Sequence, residues 1–368
     1  MAVTAALSEV AGAPFVLSDV ELDELRGDEV LIAVSAAGIC HTDLVCAEQL
    51  IPVPLPAVLG HEGAGVVLEV GAAVQSLHVG ERVALTFDSC GSCPCCLQAK
   101  PSYCHRFFEH NFAASRPGDG TTGLTRDGEP VGGRFFGQSS FATQAIARER
   151  NTVRIDSDIP LDVLAPFGCG FQTGAGAVLN TLAVPSGATL AVFGAGAVGI
   201  AAILAGVIAG ASTIIAVDRV PLRLELAREL GATHTIDAGS ADVVEEIRGL
   251  TGHGADFALE ATGVPSVLRN CVDCLTPRGT AGVIGAPRFG TEVSLDVNTI
   301  LTGGRIVRGI VEGDSVPERF LPSLVSYWEQ GRFPVERLIR HYDFDQINEA
   351  ARDAAEGRVI KPVLRMTA

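Results

Sequence analysis

With 368 residues, 47% hydrophobic and 19% charged, the chain holds enough apolar material for two buried cores, which argues against disorder and against a single small domain. Its formal charge of −16 disfavours nucleic acid as a partner, since phosphate binding needs a basic stripe and none is present. The N-terminal stretch MAVTAALSEVAGAPF has neither the basic start nor the continuous apolar core of a secretion signal, and Glu9 interrupts it, so a cytoplasmic setting is expected.

Residues 1–150 read as strands and turns. DEVLIAVSAAGIC, GAGVVLEVGAAV and LHVGERVAL are β-rich runs punctuated by glycine, and no helical period alternates with them, which predicts an antiparallel, barrel-like domain. Residues 90–104 then read CGSCPCCLQAKPSYC, five cysteines in fifteen residues. A disulfide cluster, a redox switch, an iron–sulfur ligand set and a zinc knot are all options for such a run. In a reducing compartment clustered thiols are more often metal ligands. Cys90, Cys93, Cys96 and Cys104 follow C-x2-C-x2-C-x7-C. Four thiolates close a tetrahedral zinc site with no open position, so this site is expected to be structural, with Cys95 spare. Residues 105–140, which include RPGDGTTGLTRDGEPVGG, are polar and glycine-rich and read as a surface loop.

From Val163 to Val217 the chain carries no Asp, Glu, Lys, Arg or His. Length alone would admit a membrane span there. The glycines and the β-branched STIIAV run fit a buried strand, helix and strand better, because a parallel sheet covered on both faces gives continuous apolar runs. From residue 171 strand and helix patterns alternate, through ATLAVFGAG, AVGIAAILAGVIAG, TIIAVD and PLRLELARELGA. That alternation predicts a doubly wound parallel sheet over 171–310. The remainder, 311–368, is a helix and a terminal strand expected to return to the first domain, 1–170.

GAGAVG places Gly194, Gly196 and Gly199 in G-x-G-x-x-G spacing. The motif is weak alone, but here it follows a predicted strand and opens a helix, where backbone amides and the helix dipole can hold a pyrophosphate. Asp218 ends the next strand, where a carboxylate accepts from the adenosine ribose and repels a 2′-phosphate, so NAD is favoured over NADP. Arg219 beside it could accommodate that phosphate instead. Cys40 in GICHTD, His61 in GHEGAG and Cys169 in FGCGFQTG read singly as packing or loop residues. Taken together, two cysteines and a histidine match a three-ligand zinc site with one position open.

GICHTDLVC, PVPLPAVLGHEGAGVV, LTFDSCGSC, FFGQSSFAT, GCGFQTGAG and RGIVEGDS resemble the zinc-dependent medium-chain alcohol dehydrogenases over essentially the whole chain. Within them the likeness is greatest to bacterial aryl-alcohol (benzyl alcohol) dehydrogenases. The resemblance implies a GroES-like β-barrel catalytic domain plus a Rossmann NAD-binding domain, and two zinc ions per subunit. It implies reversible oxidation of primary aromatic alcohols to aldehydes, by hydride transfer from a zinc-bound alkoxide to NAD. Cys40, His61 and Cys169 would ligate the catalytic zinc, with Glu62 behind the metal and Asp43 orienting His61. Thr42 would take the alcohol's proton. The histidine that completes the relay in many relatives is replaced by Val45, and His41, whose family counterpart faces the cofactor phosphates, is the nearby imidazole. Arg223 would touch the ribose and Lys361 would neutralise the pyrophosphate. Phe87, Phe135, Phe136 and Phe141 are candidate pocket walls. The resemblance further implies a homodimer or homotetramer with no nucleic-acid or membrane partner. Allylic (terpene-type), broad aliphatic and glutathione-dependent formaldehyde dehydrogenases are the alternatives within the family. A fold-retaining zinc protein without turnover is the alternative outside enzymes.

Overall fold

The computed structural model describes residues 3–366. Their contacts divide the chain into two units, Met1–Gly170 with Val316–Ala368, and Phe171–Ser315. The second boundary falls after Ser315 rather than after residue 310. Its cause is local: the Ser315 hydroxyl donates to Gln172 Oε1 at 2.7 Å, which ties the turn at Glu312–Asp314 to the helix Gly170–Gly176.

The first unit contains a closed barrel with strands in the order Val3–Ser8, Val16–Leu22, Gly123–Arg126, Glu129–Gly132 and Ala57–Val58. Its second sheet runs Thr152–Arg154, Arg82–Leu85, Gly63–Val70, Glu29–Gly38, Lys361–Arg365 and Ile339–Asp343, with Gln144–Arg148 also paired to Glu29–Gly38. The long strand Glu29–Gly38 organises this sheet. Its Val30, Ile32 and Val34 pack on Val67, Val83, Leu85 and Ala147, as the period-2 pattern dictates. Its C-terminal end pairs Ala37 with Gly63 on one side and with Leu364 on the other. Three stretches distant in sequence therefore converge at that end, and all three carry candidate site residues.

Residues 105–140 are not a surface loop. They supply a helix, Phe107–Asn111, and the two strands Gly123–Arg126 and Glu129–Gly132 that complete the barrel. Two of the arginines that mimic a solvated loop turn inward toward Glu29. Arg116 is buried and donates to Glu29 through Nε at 2.8 Å and Nη2 at 3.0 Å. Arg134 is 1% exposed.

The second unit is a six-stranded, all-parallel sheet in the order His234–Asp237, Thr213–Asp218, Thr189–Phe193, Ala255–Glu260, Leu275–Val283 and Ile306–Gly309. The order reverses between Thr189–Phe193 and Ala255–Glu260, the switch point of a doubly wound sheet. The uncharged run resolves into buried strand, helix and strand. Among the described residues no helix is long and apolar enough to cross a membrane.

Glu29 tests the inward-turned charge. Burial opposes its ionisation, but Arg116 and Arg134 outweigh that and lower its pKa. A depressed folded-state pKa gives stability that is present above the ordinary glutamate value of 4.5 and lost as pH falls through the folded value. Glu29→Gln is expected to cost about 3 kcal/mol near neutral pH by leaving Arg116 without its buried partner, and to flatten the acid side of the stability profile. Urea midpoints across pH check both.

Candidate active site and metal centres

Cys40 immediately precedes the helix His41–Ala47 at the end of strand Glu29–Gly38. His61 and Glu62 lead into strand Gly63–Val70, and the pairing of the two strands sets them side by side, with Gly38 N donating to Glu62 O at 2.9 Å. Cys169 follows a tight turn at Ala165–Gly168. The ligating atoms of Cys40, His61 and Cys169 lie within 4.8 Å of one another.

Asp43 holds this arrangement. Its buried carboxylate accepts from Cys40 N at 2.8 Å, Gly60 N at 3.1 Å and His61 Nδ1 at 2.8 Å. With Nδ1 engaged, His61 Nε2 is the nitrogen left for a metal, and it is buried with no hydrogen-bond partner. An orphaned imidazole nitrogen beside two sulfurs is a donor set that fits a zinc ion. The Cys40 thiol is held well below its usual range, first by its hydrogen bond with Cys169 and then by His61, against the opposing effect of burial. Thiolate is the form that ligates.

Glu62 is fully buried behind the set and accepts from Gly170 N at 3.0 Å. Lys361 Nζ donates to both Glu62 oxygens at 2.9 Å and to Ile39 O at 3.3 Å. All three ammonium protons are thus committed, and Lys361 is 2% exposed. Lys361 is thus the counter-ion of Glu62. Burial alone would pull its pKa down, and the Glu62 charge holds it above the usual lysine range. A Cβ on Gly38 would sit 2.1 Å from Glu62 Oε2, so only glycine leaves room for that carboxylate.

Thr42 is half-buried, with its hydroxyl 3.9 Å from Cys40 Sγ. His41 is exposed and Val45 half-buried. Phe136 stacks on the His61 ring at 4.4 Å between centroids and 28° between planes, and Phe135 meets it edge-on at 5.6 Å. Phe136 does this from a left-handed backbone at φ 50°, a conformation that costs a non-glycine residue about 1 kcal/mol. Phe87, Phe107 and Phe112 extend the aromatic cluster, with Phe107 centroids 6.1 Å from Phe87 and 6.4 Å from both Phe112 and Phe136. Phe141 packs instead on Phe15.

Cys90, Cys93, Cys96 and Cys104 form a second group whose sulfurs lie within 4.8 Å of one another. Backbone amides point at them: Cys93 N at 3.3 Å from Cys90 Sγ, Cys90 N at 3.3 Å from Cys104 Sγ and Arg106 N at 3.4 Å from Cys104 Sγ. Burial opposes ionisation of Cys90, but the Ser92 and Cys93 amides outweigh it and bring its pKa down to about 5. A cradle of N–H groups around four sulfurs fits a closed zinc site. Cys95 is not in that group.

In the second unit, Gly194 turns at φ 96° and Gly196 caps the helix Ala197–Ala209 without a side chain. A Cβ on Gly199 would lie 1.7 Å from Gly194 O, whereas one on Gly196 would meet nothing within 4 Å. Gly199 is thus required for packing, and Gly196 leaves the helix N-terminus open to an anionic group. Asp218 Oδ2 accepts from Ala195 N at 2.7 Å, and Oδ1 accepts from Arg219 N and Val220 N at 2.7 and 2.9 Å. Arg223 Nη1 stands 3.9 Å from Asp218, and Arg219 is exposed.

Two family descriptions match this geometry: "Alcohol dehydrogenase GroES-like domain" over residues 26–157 and "Zinc-binding dehydrogenase" over 197–326. A geraniol dehydrogenase of Castellaniella defragrans is 44% identical over 361 residues, covering 98% of this chain and 96% of the relative. The chain belongs to the zinc-dependent medium-chain alcohol dehydrogenase family. Among solved structures, an alcohol dehydrogenase zinc-binding domain protein from Burkholderia ambifaria is 54% identical at a TM-score of 0.98. The benzyl alcohol dehydrogenase of Acinetobacter calcoaceticus is 45% identical at 0.97, and both cover 100% of each chain.

The sequence reading named both candidate ligand sets together with Glu62 and Asp43, but not two of the contacts that hold them in place. The Lys361–Glu62 pair and the Phe136–His61 stack join residues far apart in sequence.

The two ligand groups make separable claims about metal. Cys96→Ser is expected to lose one zinc per chain and destabilise the lobe, while Cys95→Ser keeps the full complement. Asp43→Asn is expected to lower retention of the other zinc by about tenfold or more, because Nδ1 then lacks a carboxylate. Metal analysis after timed chelation reads both.

Proposed function

We propose that this zinc alcohol dehydrogenase oxidises primary aromatic alcohols to aldehydes, reversibly and with NAD. The observation that carries the reading is the phenylalanine cluster built around His61, which gives the ligand set of the first unit an aromatic flank. Such walls with few polar groups suit a benzylic alcohol. The likeness to a benzyl alcohol dehydrogenase supports it. The likeness to a geraniol dehydrogenase supports the second reading, an allylic alcohol. The carboxylate of Asp218 supports NAD over NADP, and the open helix N-terminus at Gly196 supports a dinucleotide there.

Zinc, when bound, supplies Lewis-acid polarisation of the alcohol oxygen, and the nicotinamide accepts the hydride. The chain's own residues do the rest. Asp43 fixes the His61 tautomer and presents Nε2. Glu62, neutralised by Lys361, provides a carboxylate behind the ligands. Thr42 Oγ1 receives the alcohol's proton. With Val45 unable to carry it on, the exposed His41 offers a neighbouring route to water.

The strand Ile306–Gly309 lies at one edge of the parallel sheet with all four residues exposed, which supports a homo-oligomer joined through that edge. The arrangement of six of the ten cysteines in two metal-ligand groups, with none of the ten in a disulfide, supports a cytoplasmic setting.

Steady-state kinetics on benzyl alcohol, geraniol, ethanol and S-hydroxymethylglutathione, each with NAD and NADP, test the substrate assignment. Benzyl alcohol with NAD is expected to give the highest kcat/KM; a preference for ethanol would sink the aromatic reading and a preference for geraniol would replace it with the allylic one. Lys361→Ala is expected to lower kcat by stranding the buried Glu62 charge. A raised KM for NAD with unchanged kcat would assign the ammonium to the pyrophosphate instead.

A further inference from the structure

Phe136 keeps its ring on His61 from a backbone that few side chains adopt, and such a conformation persists only where the surroundings hold it. Phe136 and Gly137 are left-handed in succession, at φ 50° and 65°, and Ser139 is left-handed again at φ 50°. A Cβ on Gly137 would lie 2.9 Å from Asp88 Cβ and 3.0 Å from Asn151 Nδ2, so the turn closes tightly on its neighbours. Its flanks are pinned. Ser139 Oγ donates to Val58 O at 2.6 Å and accepts from Phe135 N at 2.9 Å. Gln138 Nε2 donates to His61 O at 3.0 Å, and Gln138 Oε1 accepts from Gly63 N at 3.1 Å.

The middle of the turn, where the strain sits, rests on one side chain. Asn151 ends the short helical turn Glu149–Asn151 between the strands Gln144–Arg148 and Thr152–Arg154, and it is fully buried. Its Nδ2 lies 3.2 Å from Phe136 O, 3.3 Å from Gly137 O and 3.2 Å from Thr86 O. Among the described residues no other side chain bonds to either turn carbonyl. Asn151 Oδ1 accepts from Arg148 N at 2.8 Å, so the partners fix which way the carboxamide faces: three carbonyls need an N–H, and an N–H needs an oxygen. The backbone beneath it is tied as well, with Thr86 N donating to Asn151 O at 3.0 Å.

The residue held this way joins the ligand set to the aromatic cluster. The Phe136 ring lies 4.4 Å from His61 and 4.9, 5.1 and 6.4 Å from Phe135, Phe112 and Phe107. We propose that Asn151 is a positioning residue for substrate selectivity: its carboxamide holds Phe136 in the left-handed turn, and Phe136 so held forms the aromatic wall beside His61. Released from those bonds, Phe136 returns to negative φ, the region open to side chains, and its ring leaves the imidazole. The proposal rests on the aromatic reading above and names what sets it.

Wild-type kcat/KM on benzyl alcohol and on ethanol, with NAD, tests the aromatic reading; a double-substitution cycle on the zinc-loaded enzyme tests the positioning. Asn151→Ala is expected to lower the benzyl-to-ethanol ratio of kcat/KM by about tenfold, through KM for benzyl alcohol more than through kcat. Phe136→Ala is expected to lower the ratio at least as far. Adding Asn151→Ala to Phe136→Ala should lower it no further, because the ring through which Asn151 acts is gone. Asn151→Asp keeps the volume, removes the N–H donors and repeats the test without a cavity. A ratio unchanged in both Asn151 variants, or losses that multiply to about a hundredfold in the double variant, would overturn the proposal. Loss of cooperative melting in both Asn151 variants would also overturn it, by making Asn151 a framework residue.

Discussion

A buried carboxylate, Asp43, accepts three hydrogen bonds from three parts of the local chain and so ties Cys40 to His61. It fixes the start of the helix through Cys40 N, the approach of the preceding loop through Gly60 N, and the ring of His61 through Nδ1. Because the carboxylate is inaccessible to solvent, each bond is stronger than it would be in water, and loss of one partner leaves an uncompensated charge. The sheet brings the same residues together from the other side. Strand Glu29–Gly38 delivers Cys40, and its antiparallel neighbour delivers His61 and Glu62. The terminal strand delivers Lys361.

Charge bookkeeping explains why the terminal strand matters. Two cysteine sulfurs and the Glu62 carboxylate gather in a region with almost no water, and such a group is unstable without cations. Lys361 supplies one, and the donor set fits a zinc ion as the other. The barrel solves a similar problem with less balance. Glu29 neutralises Arg116 fully and Arg134 only at a distance. In both places the sequence puts ionisable residues inside, and their partners lie far along the chain.

That separation governs what was legible in the sequence. The glycine turn, the four spaced cysteines and the strand–helix alternation are local patterns, and each appears in the structure where its spacing places it. The Cys40, His61 and Cys169 set is non-local; no spacing rule joins it, and only a whole-chain resemblance brought it into view. Residues 105–140 read as a surface loop because Arg116 and Arg134 look solvated when composition alone is considered. The ion pairs that draw Arg116 and Arg134 inward involve Glu29, nearly ninety positions earlier for Arg116. Lys361 reads as a cation for the pyrophosphate, and only the register of its strand against Glu29–Gly38 reveals its pairing with Glu62. The phenylalanines were visible as candidates, but their division between ring-stacking on His61 and plain core packing depends on one left-handed residue, Phe136.

Diffraction from crystals of the purified dehydrogenase, measured on both sides of the zinc absorption edge, locates the metal at each ligand set. Two anomalous peaks per chain are expected, one bounded by Cys40 Sγ, His61 Nε2 and Cys169 Sγ, the other by the sulfurs of Cys90, Cys93, Cys96 and Cys104. No peak at the first set, or a second peak ligated by Cys95, would contradict that expectation.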